Sequence, residues 1–129
     1  MKELAFDSGI EEFRIQGGGT LRFNPADPNL YGRFLEAAEK LQELEKELSR
    51  QAAGTPEGTI TLLTEADRKV KQLLNWVLGG DNDLHKAVGG VNLLSVSADG
   101  RYLVTNLLDA LEEIITAGAE RFAAARAQL

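Results

Sequence analysis

Leu30, Phe34, Ala37, Leu41, Leu44 and Leu48 follow one another at alternating steps of four and three residues. Among regular backbones only an α-helix keeps such a series on one stripe. The run opens after Asp27-Pro28. Aspartate suits the N-cap, and proline suits the first helical position, where its missing N–H has no intrahelical partner to lose. The spacing predicts a helix over 28–53 with an almost wholly charged opposite face. Glu36 with Lys40 is a favourable i,i+4 pair of about a few tenths of a kcal/mol, whereas Glu39 with Glu43 and Glu43 with Glu47 oppose it by similar amounts. Apolar packing, not charge, must hold this helix.

A second helix is predicted over 64–79. Thr64 with Asp67 is a near match to a capping box, Ala66, Val70, Leu73, Leu74, Val77 and Leu78 share one side, and Gly79-Gly80 stops the pattern. Gly54-Thr55-Pro56-Glu57-Gly58 reads as a short connector inside a single domain, 1–129. Asp83 is placed to cap a single turn through Val88. After the apolar run Val91 to Val96, an Asp99-Gly100 turn leads to a C-terminal helix over 101–127, with Leu108, Leu111, Ile115, Gly118, Phe122, Ala125 and Leu129 again stepping by three and four.

The chain before Pro28 alternates instead with period two. Leu4 and Phe6, then Phe13-Arg14-Ile15, then Leu21-Arg22-Phe23 each offer one apolar face, with turns at Asp7-Ser8-Gly9 and Gly17-Gly18-Gly19. The expectation is an α+β fold: a three-stranded antiparallel meander over 1–27, a long helix, and a mainly helical C-terminal half. Helices of about 30 Å overhang strands of about 17–20 Å. The leucine seams must therefore meet each other or a second subunit, and homo-oligomerisation is expected. Leu41, Leu44, Leu48, Trp76, Leu111, Ile115 and Phe122 are the candidate partner-binding residues, Trp76 serving either as core or as an interface anchor.

Composition narrows the chemistry. With 14 Lys+Arg against 20 Asp+Glu the net charge is −6, and no basic patch interrupts it, so no nucleic-acid partner is expected. No apolar run is long enough to span a bilayer, so no membrane partner is expected either. Met1 to Phe6 lacks the pattern of a secretory signal, and a cytoplasmic product is expected. Cysteine is absent and His85 is the single histidine; no metal site, cofactor or catalytic residue is expected. Gly17-Gly18-Gly19 precedes a strand, not the helix that a phosphate cradle needs. Asp81-Asn82-Asp83 has the opening spacing of a calcium loop, but the fifth, sixth and twelfth positions are His85, Lys86 and Asn92. Ser95 and Ser97 lie in no nucleophile context, and His85 reads as a surface side chain.

The Phe6 strand, Phe13-Arg14-Ile15, the glycine turn, Leu21-Arg22-Phe23-Asn24-Pro25-Ala26-Asp27, and the acidic helix that follows resemble small proteins encoded in tail modules of long-tailed phages and prophages of Gram-positive bacteria. Trp76-Val77-Leu78-Gly79, and the Asp99-Gly100 turn before Asn106-Leu107-Leu108-Asp109-Ala110-Leu111-Glu112-Glu113-Ile114, resemble the second half of the same family. The resemblance implies a non-enzymatic tail assembly chaperone that binds the tape-measure protein and brings tail-tube subunits to it in the host cytoplasm. It also implies that a longer frameshifted form can exist. The alternative is a structural, homo-oligomeric subunit retained in the phage particle.

Overall fold

The computed structural model describes residues 1–51 and 54–129. Its two strands and four helices make a mixed α+β fold. Helix α1 (Pro28–Arg50) starts as predicted: Asp27 Oδ1 accepts from the Asn29 N–H at 2.9 Å, with Pro28 following the cap. Its predicted end at Ala53 lies outside the described residues. The same device recurs where the sequence suggested a connector. Thr55 Oγ1 accepts from the Gly58 N–H at 3.0 Å and Pro56 opens α2 (Pro56–Leu78). Thr64, expected as the cap, stands inside α2 and donates its hydroxyl to the Ile60 carbonyl. The Thr-Pro pair outweighs the two nearby glycines because capping supplies an acceptor that the first turn otherwise lacks.

Helices α1 and α2 pair with each other and run antiparallel, Arg33 near the start of one donating Nε to the Val77 carbonyl near the end of the other at 3.0 Å. Gly79, at φ +69°, ends α2. Asp83 caps the single turn α3 (Leu84–Ala87) as expected. Helix α4 (Leu103–Arg126) packs on α1, where Tyr31 and Phe122 meet edge to face with ring centroids 6.1 Å apart.

The predicted three-stranded meander is a two-stranded hairpin. Strands β1 (Glu11–Arg14) and β2 (Thr20–Phe23) pair antiparallel with Phe13 opposite Leu21, and Phe13 stacks on Phe23 at 4.6 Å. Gly17, at φ +74°, makes the turn. The segment carrying Leu4 and Phe6 joins neither strand. Asp7 Oδ1 accepts from the Gly9 N–H at 2.8 Å, Gly9 sits at φ +75°, and the Asn24 amide donates to the Ser8 carbonyl at 3.2 Å. Before that braced turn Leu4 is 89% and Phe6 78% exposed instead of on the buried face. The outer edge of β2 is closed by side chain and loop. Asn82 Oδ1 accepts from the Arg22 N–H at 2.8 Å, its Nδ2 donates to the Arg22 carbonyl at 2.7 Å, and the Gly19 N–H donates to the Ala87 carbonyl at 2.7 Å. Leu21 and Phe23 thereby join Leu30, Phe34, Leu74, Val77, Leu84 and Ile115 in one core. No described helix is long and apolar enough to cross a membrane.

Candidate helix-binding groove

The loop between α2 and α4 sets where the first turns of α4 stand. Asp67 and Lys71, one helical turn apart on α2, hold that loop. Lys71 is 4% exposed, and its ammonium donates to Asp67 Oδ2 at 2.8 Å and the Val91 carbonyl at 2.7 Å, with His85 Nδ1 at 2.8 Å. Asp67 Oδ1 accepts from the Leu93 N–H at 2.8 Å. Three donors and three acceptors satisfy a charge whose burial would otherwise be costly. The start of α4 then hangs from the anchored loop, the Leu103 N–H donating to Ser95 and the Val104 N–H to Leu93, each at 2.9 Å.

The consequence is an open groove of about 860 Å³ between α1, α2 and the start of α4. Leu41, Leu44 and Leu48 come from α1, Leu62, Leu63 and Val70 from α2, and Leu94, Tyr102, Val104 and Leu108 from the loop and α4. Leu35, at its edge, is 51% exposed. The ionisable lining groups, apart from the Tyr102 phenol, are Glu45, Asp109 and Glu112, with no Lys or Arg among the described lining residues. Asp109 is engaged by Arg101 at 2.5 Å, which raises the Arg101 pKa; Glu45 and Glu112 face solvent with no ion pair among the described residues. Just beyond the rim, hydrogen bonds from the Ser97 hydroxyl and the Arg101 amide hold the Asp99 carboxyl below the usual aspartate range.

Of the candidate partner-binding residues, the groove gathers Leu41, at its floor, with Leu44 and Leu48. Trp76 lies elsewhere and outside the core. It is 44% exposed in a shallower, mixed-charge depression on the α1–α2 seam, where Lys40 Nζ stands 5.4 Å from its ring centre. Tryptophan in this register is displaced from the stripe that Leu73, Leu74 and Val77 define. Leu111 and Ile115 are buried in this chain's own core and Phe122 packs on Tyr31; the α4 residues that line the groove are Val104 and Leu108 instead. The sequence reading left Leu35 and Leu62 unnoticed and took Leu108 only as a stripe position, not as a binding residue. Their signal was doubling: Phe34-Leu35, Leu62-Leu63 and Leu107-Leu108 widen an apolar face beyond what one neighbouring helix covers. Lys71 and Asp67 were missed as a buried pair because i,i+4 charges usually sit on a solvated face.

Asn82 and Asp83, two thirds of the calcium-like triplet, are spent on the β2 edge and the α3 cap. Comparison with protein-family models, curated proteins and solved structures finds no match for this chain.

Proposed function

We propose that this protein is a non-catalytic helix-binding protein whose ligand is an amphipathic helix lying in the groove between α1, α2 and α4. The observation that carries this reading is an apolar floor left open beneath an acidic rim. Helix-in-groove recognition uses such a floor for an apolar stripe, and Glu45 and Glu112 favour a helix whose flanks carry Lys or Arg. The narrower reading rests on the resemblance: a tail assembly chaperone, acting in the bacterial host cytoplasm, whose bound helix belongs to the tape-measure protein and which recruits tail-tube subunits to it.

The test compares two amphipathic peptides with the same leucine stripe, one flanked by lysines and one by glutamates, by fluorescence anisotropy. The lysine-flanked helix is expected to bind about tenfold tighter at low salt and to lose that margin at high salt. Leu35→Ser with Leu108→Ala is expected to weaken it further, by about tenfold or more. Failure of both peptides to bind discards the groove. For the narrower reading a tape-measure fragment replaces the peptides, and stoichiometric recovery of this chain from purified phage particles would favour the structural subunit instead.

A further inference from the structure

The hairpin has two unlike edges. That of β2 is occupied by the Asn82 amide and the Ala87 carbonyl. On the other edge, the outward backbone groups of Glu12 and Arg14 in β1 have no hydrogen-bond partner among the described residues. An open strand edge is a template for another strand. The same chain carries a segment with strand periodicity and no strand partner among the described residues, Met1 to Phe6, whose Leu4 and Phe6 are almost fully in solvent.

We propose that Met1–Phe6 of one copy adds as an antiparallel third strand to β1 of a second copy, reciprocally, in a two-fold dimer. Charge chooses the register. With Leu4 opposite Phe13, Leu4 and Phe6 fall on the face that Phe13 shares with Leu21 and Phe23, Glu3 faces Arg14, and the small Ala5 faces Glu12. Slipping by two residues in either direction keeps the apolar face but sets a carboxylate, Asp7 or Glu3, against Glu12, and like charges directly opposite destabilise a strand pair. Slipping by one turns Leu4 and Phe6 to the solvent face. The chosen register also sets Glu3 and Ala5 against the free backbone groups of Arg14 and Glu12, so the ladder can form. A second copy is favoured over the same chain because Met1–Phe6 stands unpaired beside its own β1, with Leu4 and Phe6 in solvent. A Cβ at Gly9 would press on the Asn24 side chain, which braces the Asp7–Gly9 turn. Charged residues on β1 refuse strands in general while accepting this one, which is how an edge is guarded and still used.

The absence of cysteine makes the test clean. Glu3→Cys and Arg14→Cys alter two exposed side chains, and the two single variants, carrying different mass tags, are mixed and oxidised. Disulfide-linked heterodimers in clear excess over either homodimer are expected. Sedimentation of the unmodified chain at tens of micromolar should give twice its 14.0 kDa mass. Glu3→Arg should raise the dimer dissociation constant roughly tenfold, and adding Arg14→Glu should restore it. A chain carrying both cysteines that closes on itself as a monomer overturns the proposal in favour of intrachain pairing. So does a sedimentation mass unchanged by deleting residues 1–6, with circular dichroism showing the helices intact, or an absence of mixed disulfides.

Discussion

Gly118 of α4 lies directly against the Pro25 carbonyl, so close that a Cβ at position 118 would fall inside the carbonyl group. The stripe spacing placed Gly118 among apolar positions, and glycine there lets the helix backbone touch the turn that links β2 to α1. Gly118→Ala gains about 1 kcal/mol of helix propensity yet forces the helix off the turn. Overpacking costs of about 1–3 kcal/mol, occasionally more, set the scale, and the severity of this overlap places the outcome at or beyond the upper end. Urea denaturation is expected to show net destabilisation, and an unchanged or raised midpoint would mean that the two backbones are not in contact.

Lys71→Met should be costly despite preserving length. It leaves the Asp67 carboxylate and the Val91 carbonyl without their buried donor, a loss of about 3–5 kcal/mol by comparison with other broken buried pairs. Replacing Asp67 as well, with Asn, should recover only part, because the Val91 carbonyl still lacks its donor. A loss below about 1 kcal/mol for the single variant would show that the pair is solvated in solution.

Asn82→Ala removes both bonds to Arg22 and the bond from Nδ2 to the Gly79 carbonyl at 2.8 Å. Stability should fall by about 1–3 kcal/mol, and hydrogen exchange at the Arg22 amide should accelerate selectively over that at Phe23. Equal acceleration of both would point to unfolding of the hairpin as a whole.

The Asp99 turn has a predictable pH response. Its carboxyl ionises more readily folded than unfolded, because Ser97 and Arg101 bond the charged form. Whatever stability this adds is therefore present above the ordinary aspartate pKa and is lost as pH falls through the lower, folded value. NMR titration should give Asp99 a midpoint below that of an unfolded aspartate, with the Arg101 amide shifting at the same pH. A midpoint at or above the ordinary value would contradict the turn geometry.

How far the sequence could be read depended on the range of the forces involved. Asp27-Pro28, Asp83, Gly79 and the leucine stripes act within a turn or two, and the structure places them where local rules put them. The missing third strand was not legible. Leu4 and Phe6 have a sound local pattern, and the turn beside them is braced from far along the chain, by Asn24 on the Ser8 carbonyl, a contact that no local rule reports. The groove was legible in half: Leu41, Leu44 and Leu48 were marked by their period, but the α4 side depends on a loop tethered by Lys71, and no periodicity reports a tether. The early start of α2 was hidden by glycines that usually break helices and here flank a cap.

The contacts that dock the later turns of α4 join residues remote in sequence: Glu11 with Arg121, 110 positions apart, Pro25 with Gly118, and Tyr31 with Phe122. Those between α1 and α2 close only a short hairpin. Loop closure makes remote contacts slower to form, and synthesis delivers α4 after α1 and α2. A growing chain therefore completes the leucine floor on the α1–α2 pair before the wall that borders it exists. For a time during translation that floor is wider and barer than in the finished molecule, and a helix made alongside it meets its receptor before folding is complete.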